Sequence, residues 1–338
     1  MKKILITLTF LLMIFSVSSA TKYYISTTGV TGNTGLTSAS PKGTLDQVFT
    51  AFNLGTGDTI FVAAGTYTET GIVVGSDDEG FVIQGASLSS GIPTSIFDAT
   101  STSRWLLLNN SNNDNITINK LTIKDYITTG GADPDGGGAI KIISTCSGTT
   151  INSCVFNNCD TKSTSGHRGG AIYSVSDISI TNCSFYNCDS YKYGGAISLE
   201  LTLSANCTID RCTFYSNTCT NNDYGSAIYC GVTNNTYSLT IKNSLFYNNA
   251  TTSGTGTAVI VGETGKLNIT NCTITKNGNT GAGTGGVLSV SSATLTMKNT
   301  IIYANVGTTY NDVYNNSATL TMTSCCYGNA SVIKLFFS

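Results

Sequence analysis

What most constrains this chain is a four-residue anchor that recurs at nearly constant spacing. It is Ile or Met, any residue, Asn or a polar substitute, then Cys, Ser or Thr. It appears as INSC at 151–154, ITNC at 180–183, IDRC at 209–212, IKNS at 241–244, ITNC at 269–272, MKNT at 297–300 and MTSC at 322–325. The leading residues Ile151, Ile180, Ile209, Ile241, Ile269, Met297 and Met322 are 29, 29, 32, 28, 28 and 25 residues apart. Two residues past the anchor comes Phe156, Phe185, Phe214, Phe246, Ile274 or Ile302. Each unit opens on small residues: GGAI at 137, 169 and 194, GSAI at 225, GTAV at 256 and GGVL at 285. A fixed period of this length marks units that stack on their neighbours to complete a shared core.

The local pattern decides what stacks. LTIKNSLF at 239–246 and LNITNCTI at 267–274 alternate apolar and polar residues and are rich in β-branched side chains. That is strand patterning. No stretch within 106–330 carries a helical stripe of three turns. A leucine-rich repeat has a similar length, but its LxxLxLxxN consensus is absent. The expected fold is all-β, a right-handed parallel β-helix, with an inward column of Ile151, Ile180, Ile209, Ile241, Ile269 and Met297. Equivalent residues then lie about 4.8 Å apart on successive rungs. At that spacing Asn152, Asn182, Asn243, Asn271 and Asn299 are expected to form an amide ladder along one corner.

The pairing of GGAI starts with Phe-x-x-Asn ends resembles the repeats of polymorphic outer membrane proteins. More broadly it resembles the right-handed parallel β-helix superfamily that includes pectate lyases. The resemblance covers residues 137–330. The opening stretches YYISTTG at 23–29 and GDTIFVAAGTYTE at 57–69 look like the first coil of secreted bacterial β-helix proteins. Between them TLDQVFTAFN at 44–53 is the one segment with helical character. In such folds a short helix covers the open end of the apolar axis. The organisation expected is a leader at 1–20, an N-terminal cap at 21–56 and β-helix repeats from 57 to 338. Polymorphic outer membrane proteins end in a barrel, whereas this sequence stops at SVIKLFFS, as a native end with an apolar cap or as a passenger fragment of a larger adhesin.

The leader has a basic MKK, the apolar run ILITLTFLLMIF and small residues ending at Ala20. This is the form of a secretory signal peptide, and the run is too short to span a bilayer. The mature chain is therefore expected to be secreted or at the cell surface, without a membrane span. A net charge of −2, with no basic face, excludes nucleic acid as a partner.

Twelve cysteines in an exported chain raise the question of disulfides. Cys154, Cys183, Cys212, Cys272 and Cys325 share the anchor column with Ser244 and Thr300; Cys159, Cys188 and Cys219 are expected to share another. A position that accepts Cys, Ser or Thr favours a ladder of unbridged thiols, although stacked Cα atoms fall within bridging range.

The resemblance also implies polysaccharide lyases and glycoside hydrolases, which need converging acids and bases. The best constellation is GHRGG, with the single histidine His167 beside Arg168, joined by Asp160 and Asp189 at equivalent repeat positions. Turn residues explain the same carboxylates. Asp77 and Asp78 in SDDEG, and Asp133 and Asp135 in DPDGGG, are candidate Ca²⁺ ligands; no other cofactor is implied. Tyr186, Tyr215 and Tyr247 form a candidate stripe for sugar rings. Charged residues are 11% of the chain and the repeats are regular, whereas catalytic residues have to break a pattern. The expected function is a non-catalytic surface or matrix protein with an adhesin-like or glycan-binding role. A polysaccharide lyase or glycoside hydrolase is the alternative.

Overall fold

The computed structural model describes residues 20–101, 103–128, 136–143, 146–161, 166–201, 205–220, 224–232, 237–251, 259–263, 265–279, 286–290, 293–307, 312–316, 318–328 and 330–331. The expected leader, Ala20 apart, lies outside them.

One turn shows why the chain coils. After Gly169 and Gly170, Ile172–Ser174 runs in what we call the glycine sheet and Ile178–Thr181 in the long sheet. Asn182 turns the corner into Ser184–Tyr186 of the phenylalanine sheet, and Asn187 turns it into Asp189–Ser190 of a small sheet. Gly194 and Gly195 then start the next rung. Every strand pairs in parallel with its counterpart one repeat away: Ile172 with Ile197, Ile180 with Ile209, Phe185 with Phe214, Asp189 with Thr218. Among the described residues the glycine, long, phenylalanine and small sheets contain ten, eleven, ten and five strands. The chain is a parallel β-helix, as the repeat required.

The core is the axis of the coil. Ile151, Ile180, Ile209, Ile241, Ile269 and Met297 are all 0% exposed. Beside them Phe156, Phe185, Phe214 and Phe246 stack with centroids 4.8, 4.9 and 4.7 Å apart and rings within 4° of parallel.

Both corners demand a left-handed residue. Asn182, Asn243, Asn271 and Asn299 have φ of 54, 52, 54 and 49°, which asparagine tolerates better than most side chains. Their amides form the expected ladder, with one correction. Asn152 is a strand residue, and the corner position in its turn is Ser153. Asn152 still joins, accepting from Asn182 Nδ2 at 3.0 Å, because its amide reaches the corner from one residue earlier. Where repeats depart from Asn, Arg211 Nε donates to Asn182 Oδ1 at 2.8 Å and Asp210 accepts from Asn243 at 2.8 Å.

The second corner holds a ladder that the sequence reading missed. Asn217 Nδ2 donates to Asn249 Oδ1, Asn249 Nδ2 to Asn277 Oδ1, and Asn277 Nδ2 to Asn305 Oδ1, at 2.9, 3.0 and 2.9 Å. Each Oδ1 also accepts the backbone N–H of the preceding member. The series ends on buried Asp312, whose Oδ1 accepts from Asn305 Nδ2 at 2.9 Å and whose Oδ2 accepts from Gly328 N at 3.0 Å.

The same register corrects the second cysteine column. Cys159 and Cys188 continue as Asn217, since Cys188 N donates to Asn217 Oδ1 at 3.1 Å. Cys219 instead pairs with Ser190 in the small sheet. Counted from the stacked Phe185 and Phe214, Asn217 holds the place of Cys188, and Cys219 stands two residues further on, at the place of Ser190. In the first column Cys154 N donates to Cys183 Sγ, Cys212 N to Ser244 Oγ and Cys272 N to Thr300 Oγ1. The shared property is an acceptor atom one rung up. All twelve cysteines are unbridged; Cys326 is exposed, Cys325 half-buried and the rest buried. Burial, then the neighbouring sulfurs of Cys154 and Cys212, push the Cys183 thiol well above the usual range, which disfavours the reactive thiolate. Alkylation of the native protein is expected to label Cys326 first, and alkylation in denaturant to count twelve thiols. Fewer than four in denaturant would mean a disulfide framework.

At the N-terminal end, parallel pairing starts earlier than residue 57, because Lys22–Ile25 already pairs with Thr59–Val62. Helix α1, Leu45–Ala51, lies within the segment expected to be helical. Thr44 caps it by accepting from Gln47 N, while the Glu69 carboxylate accepts from Leu45 N and Asp46 N. Leu45 and Val48, both 0% exposed, cover the end of the apolar axis.

Candidate functional site

The outward columns differ between sheets. On the long sheet the register brings Thr117, Thr150, Ser179, Thr208 and Thr240 into one line of small β-prone residues. On the glycine sheet the corresponding line is Lys141, Tyr173, Ser198, Tyr229 and Val261. Here the outward chemistry changes from hydroxyls to rings and charges.

Tyr229 defines the site. Its side chain lies across Gly231, two residues on in the same strand. A Cβ at Gly231 would stand 2.2 Å from the phenol oxygen and 2.4 Å from Cζ. Glycine is needed here for clearance, and it lets the ring lie down on the sheet. The phenol hydrogen-bonds the Glu263 side chain; burial first, then the Glu263 charge, push it well above the ordinary tyrosine range. Glu200 stands in register with Gly231 on the preceding rung, and Arg168 makes an ion pair with it through one guanidinium nitrogen and Oε2.

Tyr193 covers this arrangement. Its ring stacks on Tyr229 with centroids 4.3 Å apart at 10°. Arg168 Cζ and Lys192 Nζ lie 5.2 and 4.8 Å from the Tyr193 centroid, within cation–π range. Arg168 and Tyr193 each immediately precede a glycine with φ near 60°, Gly169 and Gly194. The left-handed glycine turn thus hangs these side chains over the sheet. Ser198, next to Tyr229 in the outward line, is 0% exposed, and its hydroxyl has no hydrogen-bond partner; the same holds for Arg168 Nε. A buried donor without an acceptor costs roughly 1–3 kcal/mol, so these two mark a place for an acceptor atom.

The residues singled out in the sequence fall as follows. Asp160 and Asp189 are direct register partners in the small sheet, as their spacing predicted. Arg168 belongs to the glycine-sheet cluster with Glu200. His167 is 1% exposed with Nδ1 unpartnered, and its carbonyl accepts from Lys192 N at 3.0 Å. Tyr186, Tyr215 and Tyr247 do line up outward, with centroids 4.8 and 5.2 Å apart at 6° and 8°. Their faces are turned to one another, so Tyr215 has both faces covered and presents only its edge. Asp78 is 2% exposed, and its two oxygens accept from Leu54 N and Gly75 N, while Asp77 accepts from Ser76 Oγ. Asp133 and Asp135 lie outside the described residues. Among the described residues no three His, Cys, Asp or Glu side chains come together as a metal cage, and no helix is long and apolar enough to cross a membrane.

The sequence reading found Arg168 but missed Glu200, Tyr229, Glu263 and Tyr193. The one available cue was Gly231 inside the apolar strand Ile228–Val232, because an interior strand glycine marks close approach of another group.

A coil of parallel strands about an apolar axis, with a polar and aromatic cluster on one outer face, defines a parallel β-helix protein. The chain belongs to the right-handed β-helix family, whose "Right handed beta helix region" profile matches residues 105–287. No curated protein matches the chain. Solved structures similar to it include a rhamnogalacturonan lyase, 14% identical, with a TM-score of 0.40 and coverage of 90% of this chain and 73% of that one. The mannuronan C-5 epimerase A-module of Azotobacter vinelandii is 12% identical, with a TM-score of 0.37 and coverage of 83% and 94%. The catalytic unit of an α-1,3-glucanase from Streptomyces thermodiastaticus is 12% identical, with a TM-score of 0.29 and coverage of 87% and 66%.

Proposed function

We propose that this is an exported β-helix that binds an extracellular polysaccharide on the outer face of its glycine sheet. The observation that carries the reading is the Tyr229 ring laid flat across Gly231, bordered by Glu200 with Arg168 on one side and Glu263 on the other. Once Tyr193 is lifted from it, a ring lying flat on the sheet offers a face to the C–H side of a sugar, and the flanking carboxylates and guanidinium offer hydrogen bonds to its hydroxyls. The carboxylates already have partners in the protein, Glu200 in Arg168 and Glu263 in Tyr229, so the geometry supports holding a glycan rather than cleaving one. Export rests on the leader at 1–20.

Titration of the full chain with neutral and acidic oligosaccharides (xylan, β-glucan, pectate and alginate fragments) is expected to find one class that binds. Arg168→Ala and Tyr229→Ala should each weaken it by about tenfold or more, the worth of a charge-assisted contact or an aromatic platform. Protein recovered outside the producing cells should begin at Thr21. Unchanged affinity in both variants would remove the site, and release of reducing ends or unsaturated products that stops in Arg168→Ala would replace binding with catalysis.

A further inference from the structure

We infer that the binding surface is occupied by the protein itself: the Tyr193 ring sits where a sugar ring is to lie, and the glycan binds by displacing it. This rests on the polysaccharide reading above and specifies how the site is opened.

Three observations converge. First, the platform is built but closed. Tyr229 needs a glycine beneath it to lie flat, yet it is only 5% exposed, with Tyr193 stacked on it at 4.3 Å. Second, polar groups beside the covered platform are left unsatisfied. Ser198 Oγ is buried without a partner although it is the register neighbour of Tyr229, and the Gly194 turn that carries Tyr193 packs within 2.9 Å of Ser198 N when measured from where its Cβ would be. Arg168 Nε is unpartnered on the same side. The Tyr193 ring face is no acceptor and its single phenol oxygen satisfies neither, whereas the ring oxygen and hydroxyls of a pyranose can accept from both. Third, two cations, Arg168 and Lys192, gather around the Tyr193 ring, where they would otherwise face the ligand's oxygens.

The motion required is small. The backbone around Tyr193 is pinned rung to rung, since Lys192 N donates to the His167 carbonyl, Gly169 N to the Tyr193 carbonyl and Gly194 N to the Tyr224 carbonyl. Only the side chain has to swing, by rotation about χ1. In the open state Arg168 and Ser198 turn from the tyrosine face to the sugar. Displacement lowers the apparent affinity by the worth of the stack it breaks. The cover thereby tunes the surface toward ligands that offer both a flat apolar face and acceptor oxygens.

The test is calorimetric titration of the same oligosaccharide panel into the full-length wild type, Tyr193→Ala, Tyr229→Ala and the double variant. Tyr193→Ala is expected to bind about two- to tenfold tighter than wild type, the range an aromatic stack is worth. Tyr229→Ala and the double variant should both bind weakly, showing that Tyr229 is the platform and Tyr193 its cover. If Tyr193→Ala binds equally or more weakly while wild type binds, Tyr193 is part of the platform and self-occupation is wrong, with the glycan reading intact. If neither wild type nor Tyr193→Ala binds any member of the panel, both readings fall. Circular dichroism of each variant, compared with wild type, separates lost binding from lost fold.

Discussion

Phe214→Ala is expected to destabilise the protein by about 3–5 kcal/mol, the usual range for deleting a fully buried phenyl ring. The upper half of that range is favoured here by geometry. Phe214 sits between Phe185 and Phe246 at 4.9 and 4.7 Å, and its strand is paired in register on both sides, with Ser184–Tyr186 and with Leu245–Tyr247. The neighbouring rungs are fixed by main-chain hydrogen bonds and cannot close into the vacancy, so most of the cavity persists. Denaturant unfolding followed by far-ultraviolet circular dichroism measures the loss. A change below about 1.5 kcal/mol would show that the axis can collapse around a missing ring. Because each rung contacts chiefly its two neighbours, the variant should also split the transition at the damaged turn.

Asn249→Ala removes a smaller side chain with a comparable penalty, on the order of 3 kcal/mol, for a different reason. The Asn249 amide is 0% exposed and has five polar contacts, its two N–H hydrogens being shared among three oxygens. It accepts from Asn217 N and Asn217 Nδ2, and donates to the carbonyls of Phe214 and Tyr247 and to Asn277 Oδ1. Alanine leaves the Asn217 backbone N–H facing an apolar interior with no acceptor. The loss of transfer energy is minor beside that orphaned donor. Hydrogen exchange at Asn217 N should accelerate far more than at Ile209 N, eight residues earlier in the long sheet. Equal protection at the two sites in the variant would mean that the ladder contributes little.

How much of this was legible follows from what each column requires. The inward Ile column was visible because burial selects residue type, and the anchors repeat that type at every rung. The acceptor columns were only half visible. At three residues past the inward Phe or Ile come Cys159, Cys188, Asn217, Asn249, Asn277 and Asn305, and each of the four asparagines accepts the N–H of the preceding rung. Sorting by cysteine therefore drew Cys219 into a column to which it does not belong. Counting from Phe214 would have placed Asn217 there. Asn152 was misplaced by a similar slip of one residue at its corner. The site was harder still. Glu200, Tyr229 and Glu263 occupy ordinary outward positions of strands, and nothing in their own spacing unites them. They meet because Gly231 has no side chain and because the turn before Gly194 projects Tyr193 over the sheet, which only the register between rungs determines.

The buried amide ladder has a direction. Each asparagine passes a hydrogen to the next turn and receives one from the turn before, so an internal turn can be duplicated or deleted and the relay still closes. Asp312 is different in kind: a carboxylate receives but has nothing to hand on. It reads as punctuation. A lineage that lengthens this coil upstream of Asp312 leaves no donor of the relay unmatched, while the coil itself runs on past the aspartate through Val313–Asn316, Thr319–Thr323 and Cys326–Tyr327. Asp312 thus ends the relay without ending the coil.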